Sequence, residues 1–357
     1  MSRPPPDTPT PDTPPLGYAH LSPGGVLDLL EAVGLHGDGR ILQLNSYENR
    51  VFQVRLDDGS AVVAKFYRPG RWSDAQILEE HAFALELAEA EVPVVPPLVL
   101  HAAGADDVAL HGVPTTLAHG RVEGSLYRYA VAPNRAGRSP ELDDPQTLRW
   151  IGRFVGRLHA VGARRPFVHR RTLDVATFGD EARDAVLASG HLPAETERPW
   201  RDACDAALDL ARARLAAVAP HLVRLHGDCH RGNVLWTDHG PHFVDLDDAC
   251  NGPAIQDLWM LLAGDRAAMR AQLAELVAGY EDFRDFDWRE AELVEPLRTL
   301  RMVHHCAWIA RRWHDPAFPI AFPGFGTPAY WSQQIADLRD QADTMSEPPA
   351  FSPPAAR

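Results

Sequence analysis

Apolar residues recur with two different periods along the chain. From Arg40 to Pro69, "RILQLNSYENRVFQVRLDDGSAVVAKFYRP" holds three short runs rich in β-branched and aromatic residues, with "DDGS" between the last two. Such runs predict strands, and the Asp/Gly-rich break predicts a hairpin turn. A helical period follows in "SDAQILEEHAFALELAEA". Ile77, Glu80, Ala84 and Leu87 fall on one stripe there, and Ser73 stands where a helix N-cap belongs. Glu79 shares its line with Gln76 and Glu86 and reads as solvated. "VPVVPPLVL" and the segment through "TTLAHGRV" read as two more strands, and "VLDLLEAVGL" upstream as a short amphipathic helix. The expectation is an antiparallel sheet with one helix inserted after its third strand.

From about Pro145 the helical period takes over. "LRWIGRFVGRLHAVG" carries Ile151, Phe154, Val155 and Leu158 at helical spacing. "CDAALDLARARLAAVA" and "AELVEPLRTLRMVHHCAWIARRW" predict further helices, and no internal repeat is found. Seven of the first fifteen residues are Pro, so the start reads as a disordered leader, as does the tail "SEPPAFSPPAAR". The expected organisation is a leader over 1–22, an N-terminal lobe over 23–120, a helical lobe over 121–345 and a tail over 346–357. The fold class is α+β: a small antiparallel β-sheet lobe with one helix, plus a larger, mainly helical lobe.

Length supports two lobes, since 357 residues exceed what one small core organises. No apolar run approaches the roughly 18 residues of a membrane span. The N-terminus lacks the basic start and apolar stretch of a secretory signal. Cys204, Cys229, Cys250 and Cys306 form no CxxC pair, which argues against a zinc site or disulfide framework. These features fit a cytoplasmic protein without a membrane partner, expected to act as a monomer. A formal charge of −14 argues against nucleic acid, which selects basic faces. Among the 35 basic residues, counting Lys plus Arg, Lys65 is the sole lysine. Retention of one ammonium in an arginine-dominated chain marks a place where a planar guanidinium does not substitute.

The densest polar stretch is "LHGDCHRGNVLW", Leu225 to Trp236, closed on both sides by apolar residues. Burying such groups is costly unless they are paired. Phosphoryl transfer offers a reason for them. It uses an Asp to position and deprotonate an acceptor hydroxyl, an Asn five residues later to hold a metal ion, and a further Asp on a following strand to chelate magnesium. Asp228 and Asn233 have that offset, and "FVDLDDA" places Asp245 twelve residues beyond Asn233. The run "NVLWTDHGPHFVDL" reads as a hairpin that sets Asn233 beside Asp245. Asp247 would face the same side as Asp245 in an extended chain, as a second metal-facing carboxylate. The same chemistry needs an ammonium on the third strand for the phosphates and a helix glutamate to fix it. Lys65 and Glu80 are the candidates.

"HGDCHRGNVLW" followed by "VDLDDACNGPAIQDLWML" resembles the aminoglycoside-phosphotransferase and choline-kinase branch of the protein-kinase-like bilobal fold. "LNSYENRVFQV", "VAKFYRPGRWSDAQILEEHAFALEL" and "EVPV" resemble, more narrowly, the bacterial stress response kinase A family. The similarity runs from about Leu42 to Phe325. It implies a serine/threonine protein kinase that uses ATP and Mg2+, phosphorylates itself and serves survival under stress. Asp228 and Asp245 are then the catalytic residues, Ser46, Lys65 and Glu80 bind nucleotide, and Asn233 and Asp245 hold the metal. Departures from protein kinases are plain. "NSYENR" replaces a glycine-rich phosphate loop, Gly227 stands where an arginine precedes the catalytic Asp, and no DFG or APE bounds an activation loop. Asp257, in "IQDLWML", could accept from catalytic-loop amides or cap a helix. His226 and His230 are expected to orient the loop, and Cys229 to pack.

The acceptor stays open. His304, His305, Trp308, Trp313, Tyr330 and Trp331 could line its side of a cleft or simply form helical core. A protein Ser/Thr acceptor, including this chain itself, competes with an amino alcohol, sugar or aminoglycoside, and with a non-catalytic binding module.

Overall fold

The computed structural model describes residues 17–103, 108–348 and 351. In it the three runs after Arg40 pair as antiparallel strands: β1 (Gly37–Leu44), β2 (Arg50–Leu56) and β3 (Ala61–Phe66). The "DDGS" turn forms as expected, with Gly59 at φ 84° and Asp58 accepting from the Ser60 amide at 2.8 Å. Helix α1 (Pro23–Glu31) precedes them and α2 (Asp74–Glu89) follows. Ser73 and Gln76 cap α2 reciprocally: the Gln76 amide donates to Ser73 Oγ, and the Ser73 amide to Gln76 Oε1. This satisfies two donors that a helix start leaves open.

Three further strands complete the sheet, β4 (Val108–His111), β5 (Leu117–Val122) and β6 (Ser125–Pro133), in the order β1-β2-β3-β6-β5-β4 among the described residues. The β5–β6 connection is a two-residue turn with positive φ at both Glu123 and Gly124. That geometry matches the right-handed twist of the flanking strands. The strand expected at "VPVVPPLVL" is absent. Pro93, Pro96 and Pro97 have no amide to donate, so only single bonds form there, such as the Leu98 amide to Val131 O at 2.7 Å.

The chain separates into two compact units. Of the described residues, one takes those up to Leu78 and those within Pro97–Asn134; the other takes Glu79–Pro96 and those from Arg135 on. The sheet thus continues past residue 120, because β6 pairs with both β3 and β5. In the first unit Val26, Leu29 and Leu30 of α1 pack on Phe52, Val54, Phe66, Tyr129 and Val131. Burial of each large side chain contributes about 1.5–3 kcal/mol. Strand alternation puts Ala64 and Phe66 into that core and turns Lys65, between them, to the opposite face. The leader expected through residue 22 is not all loose. Tyr18 donates to Phe66 O at 3.1 Å and Leu21 packs on the core, while residues 1–16 lie outside the described residues.

Helices build the second unit: α3 (Pro145–Gly162), α4 (Glu181–Ala188), α5 (Ala194–Val218), α6 (Gln256–Trp259), α7 (Arg266–Tyr280), α8 (Val294–Arg312), α9 (Ala317–Ala321) and α10 (Pro328–Ser346). Ile151, Val155 and Leu158 of α3 are fully buried, and Phe154 is half-buried at the edge. Helices α3 and α7 touch backbone to backbone. A Cβ on Gly152 would fall 1.9 Å from Leu276 O, so only glycine permits this approach. Part of the expected tail is ordered as well: Ser346 ends α10 and Phe351 lies in the helical core.

Candidate active site

In the helical unit, the polar stretch lies between two short ladders. Strand β7 (Val223–Leu225) pairs with β10 (Cys250–Gly252), and β8 (Val234–Thr237) pairs with β9 (Gly240–Phe243). Leu225 faces Cys250 and Val234 faces Phe243, so the loops holding Asp228 and Asp245 are pinned at both ends. The Val244 amide donates to Asn233 O at 3.0 Å, and His226 Nε2 donates to Val244 O at 2.9 Å. The hairpin expected from sequence therefore forms, and its backbone sets the Asn233 and Asp245 segments side by side.

Asp228 is three-quarters buried, with its side chain 22% exposed. Its Oδ1 accepts from Arg301 Nη1 of α8 at 2.8 Å. Its Oδ2 lies 3.5 Å from both His230 Nε2 and Asn233 Nδ2. Burial pushes the carboxyl upward in pKa, but the His230 contact and the Arg301 guanidinium outweigh it and hold the group well below the usual carboxylate range. Asp228 is thus an anionic acceptor at neutral pH. Asn233 turns its Nδ2 to Asp228 O at 3.0 Å, which leaves Oδ1 as its outward donor to a cation. His230 Nδ1 accepts from the Gly232 amide at 2.9 Å, so Nε2 carries the proton toward Asp228.

Asp245 occupies the left-handed region, with φ 62° and ψ 63°. This conformation costs a non-glycine residue roughly 1 kcal/mol or more, and such positions cluster at functional sites. A 3-10 turn over Leu246–Asp248 follows at once. The extended-chain reason for placing Asp247 beside Asp245 therefore fails. Asp247 is 3% exposed, and its carbonyl accepts from buried Arg170. The oxygen donors of Asn233 and Asp245 have the hard character magnesium selects. Among the described residues no group of three or more His, Cys, Asp and Glu side chains is arranged as a metal cage. A cation that keeps several waters and phosphate oxygens needs no such cage.

Asp257 lies beneath the loop and is fully buried. Its Oδ2 accepts from the His226 amide at 2.7 Å and from His159 Nε2 at 2.9 Å, and its Oδ1 from the Gly227 amide at 2.9 Å. Of the two roles open to it, the structure shows amide acceptance; Ile255 holds the cap position of α6, without a side-chain cap. Burial pushes the Tyr280 hydroxyl up in pKa, so it stays protonated and donates to His159 Nδ1 at 3.1 Å. A Tyr280–His159–Asp257 chain thereby fixes the backbone just before Asp228. Gly227 has φ 85°, and a Cβ there would fall 2.1 Å from Asp248 O. No arginine fits that position in this loop. Cys229 is buried, and burial pushes its thiol well up, so it packs as expected.

Three glutamates on α2 have different surroundings. The stripe read from sequence is correct: Ile77, Glu80, Ala84 and Leu87 are all buried, Glu80 at 6% exposure. Glu79, read as solvated, instead accepts from three successive amides, those of Val168, His169 and Arg170, at 2.6, 2.8 and 2.9 Å. Glu86 is not solvated either. It pairs with buried Arg224 at 2.9 Å, whose guanidinium lies over the rings of Phe83 and Phe167.

The sheet unit holds Ser46 and Lys65. Ser46 Oγ accepts from the Asn49 amide at 3.3 Å in the β1–β2 loop. Arg68 shapes this glycine-free loop by donating to Tyr47 O and Glu48 O at 2.8 Å each, and its own amide donates to Asn49 Oδ1. Lys65 pairs in register with Val51 and Ala130, and its Nζ lies 5.9 Å from the Tyr67 ring. Sequence reasoning missed Arg68, Arg301, Arg170 and His159. Of the aromatic candidates, Trp331 is core, Tyr330 contacts the Cys306 thiol, and Trp313 packs on Phe325. His305 stacks on Trp308 at 5.6 Å, and His304 lies against Phe178.

Known proteins are similar to the chain along most of its length. Residues 40–294 match the model of the phosphotransferase enzyme family. The chain is 43% identical over 338 residues to "Stress response kinase A" of Escherichia coli (strain K12), covering 93% of this chain and 96% of that one. It is 43% identical over 336 residues to "Serine/threonine protein kinase RdoA" of Salmonella typhimurium, with the same coverage. Among solved structures it is similar to an amicoumacin kinase in complex with AMP-PNP, Ca2+ and Ami, with TM-score 0.66, 17% identity, and 92% and 94% of the two chains covered. A microcompartment-associated aminopropanol kinase gives TM-score 0.66 at 18% identity, with 90% and 98% covered.

Proposed function

We propose, from the premise that this chain belongs to the phosphotransferase enzyme family and is a kinase of its stress response kinase A branch, with the protein-kinase-like α+β fold, that it transfers the γ-phosphoryl group of ATP to Ser/Thr hydroxyls of proteins, itself included. The 43% identity to a relative named as a serine/threonine protein kinase, across 93% of the chain, carries this reading of the acceptor. The amicoumacin kinase and the aminopropanol kinase are 17% and 18% identical and speak for the fold alone.

The chemistry assigned to each residue follows its environment. Asp228 Oδ2 receives the proton of the acceptor hydroxyl as that oxygen bonds to the γ-phosphorus; the bond to the β–γ bridging oxygen breaks, and ADP leaves. Asn233 Oδ1 and the Asp245 carboxylate would hold Mg2+, which supplies charge neutralisation of the phosphates when bound. Ser46, Lys65 and Glu80 carry the nucleotide-binding role. The protein acts in the cytoplasm as a monomer, in the response to stress. Among the described residues no helix is long and apolar enough to cross a membrane.

Incubation of the purified chain with labelled ATP and Mg2+, with and without a general protein acceptor, tests the reading. Label on the chain or on the protein acceptor is the expected result. Label recovered only on small alcohols, or nucleotide binding without transfer, would overturn it.

A further inference from the structure

We propose that Arg301 is a positioning residue for phosphoryl transfer, acting through the Asp228 carboxylate; this rests on the assignment of Asp228 as the base. The 2.8 Å bond from Arg301 Nη1 to Oδ1 is the shortest hydrogen bond described at this carboxylate. The contacts at Oδ2 are both 3.5 Å. One oxygen is therefore clamped, and the other is turned out with looser partners. A carboxylate held at a single oxygen keeps its plane and presents the second oxygen in a fixed direction, which a proton acceptor in an in-line transfer requires.

The clamp comes from outside the loop. Arg301 stands on α8, 73 residues along the chain from Asp228, while His230 and Asn233 move with the loop itself. Its side chain is 47% exposed, and its other described contact is a 3.9 Å approach to the Met260 sulfur. With the guanidinium end of the pair half in solvent, the bond contributes little to folding. A planar fork reaching one carboxylate oxygen is a costly way to fill surface, because a long side chain loses rotamer freedom there. Orientation of the base is what it gains.

The test uses the full chain, its own phosphorylation or any accepted acceptor, and a double-mutant cycle. Arg301→Ala should retain the wild-type melting temperature and KM for ATP, and lower kcat about 10- to 100-fold. Arg301→Lys should recover part of the loss, because an ammonium restores the charge but not the fork. Added guanidinium or methylguanidinium ion should raise the rate of Arg301→Ala and leave wild type unchanged. In an Asp228→Ala background, Arg301→Ala should have no further effect, since the two act as one unit. A fully active Arg301→Ala beside an inactive Asp228→Ala overturns the positioning role and leaves the base assignment standing. An active Asp228→Ala, or a wild-type chain without transfer, overturns the base assignment and this inference with it. Arg301→Ala lowering the rate equally in the Asp228→Ala background shows an effect not routed through Asp228, and also overturns it.

Discussion

Asp257→Asn isolates the buried support of the Asp228 loop with almost no change in shape. The wild-type carboxylate accepts three N–H bonds: two at Oδ2, from the His226 amide and His159 Nε2, and one at Oδ1, from the Gly227 amide. An asparagine has one acceptor oxygen. Placed at the Oδ2 position it keeps two bonds, and its own N–H group then opposes the Gly227 N–H. The reverse placement sets it against two donors, so the first is preferred. The net loss is one hydrogen bond to a carboxylate plus one abandoned amide donor, on the order of 2–4 kcal/mol. The Gly227 donor is only part-buried, which keeps the figure toward the lower end of what two such losses would give.

A loss of that size lowers the melting temperature of a unit this large by roughly 5–15 °C. Repulsion at Gly227 also displaces the residue beside the base, so turnover should fall about 10- to 100-fold even below the melting point. Thermal denaturation and transfer rate, measured on the same preparation, check both. Asp257→Ala leaves all three donors without their acceptor and should be less stable than Asp257→Asn. An asparagine variant with wild-type melting and wild-type turnover would refute the idea that this carboxylate organises the loop.

Other expectations are simpler. Burial raises the Glu290 carboxyl to about 7, above its ordinary 4.5, so the folded state binds more protons than the unfolded between those values. Stability from this group is complete below about pH 4.5 and is lost as pH rises through 7; Glu290→Gln should remove that slope and gain at most about 3 kcal/mol at pH 8, read by denaturation at pH 5 and pH 8. Glu86→Ala leaves the buried Arg224 guanidinium without its carboxylate and should cost about 3 kcal/mol, seen in the urea midpoint, and a midpoint equal to wild type would refute the pairing. Lys65 is the sole lysine, so an amine-directed reagent followed by peptide mapping should show MgATP protecting it while the α-amino group still reacts; equal labelling with and without MgATP removes it from the nucleotide-binding role.

Features set by local periodicity were legible in the sequence. Strand alternation turns Lys65 away from the core that takes Ala64 and Phe66, and the helical stripe correctly selects Glu80 as the inward glutamate. Features set by distant chain segments were not. Glu79 looks solvated on a helical wheel because nothing nearby announces the three amide donors at 168–170, 89 to 91 residues away. Arg301 reaches Asp228 from 73 residues away, in a helix whose sequence reads only as amphipathic. "VPVVPPLVL" misleads in the opposite direction. Its valines suggest a strand, while its prolines remove the donors a ladder needs.

The density of polar groups in "LHGDCHRGNVLW" poses a physical problem, since unpaired burial of even a few would cost more than the margin by which a domain is stable. The structure solves it by pairing them in depth. The His226 amide and the Gly227 amide donate to Asp257, His226 Nε2 to Val244 O, Asn233 Nδ2 to Asp228 O, and the Gly232 amide to His230 Nδ1. Asp228 Oδ2 keeps only two long contacts of 3.5 Å, to His230 and Asn233, no bond to Asn233 Oδ1 is found among the described residues, and Asp245 is held in a left-handed backbone. A turn built only for folding would gain by satisfying those oxygens from within, as it does the others. Oxygen acceptors held this loosely in a loop that pairs so many of its other polar groups are the feature by which a reaction site differs from a well-made turn. For that reason the removal of Asp228 or Asn233 should cost this protein far more in phosphoryl transfer than in stability.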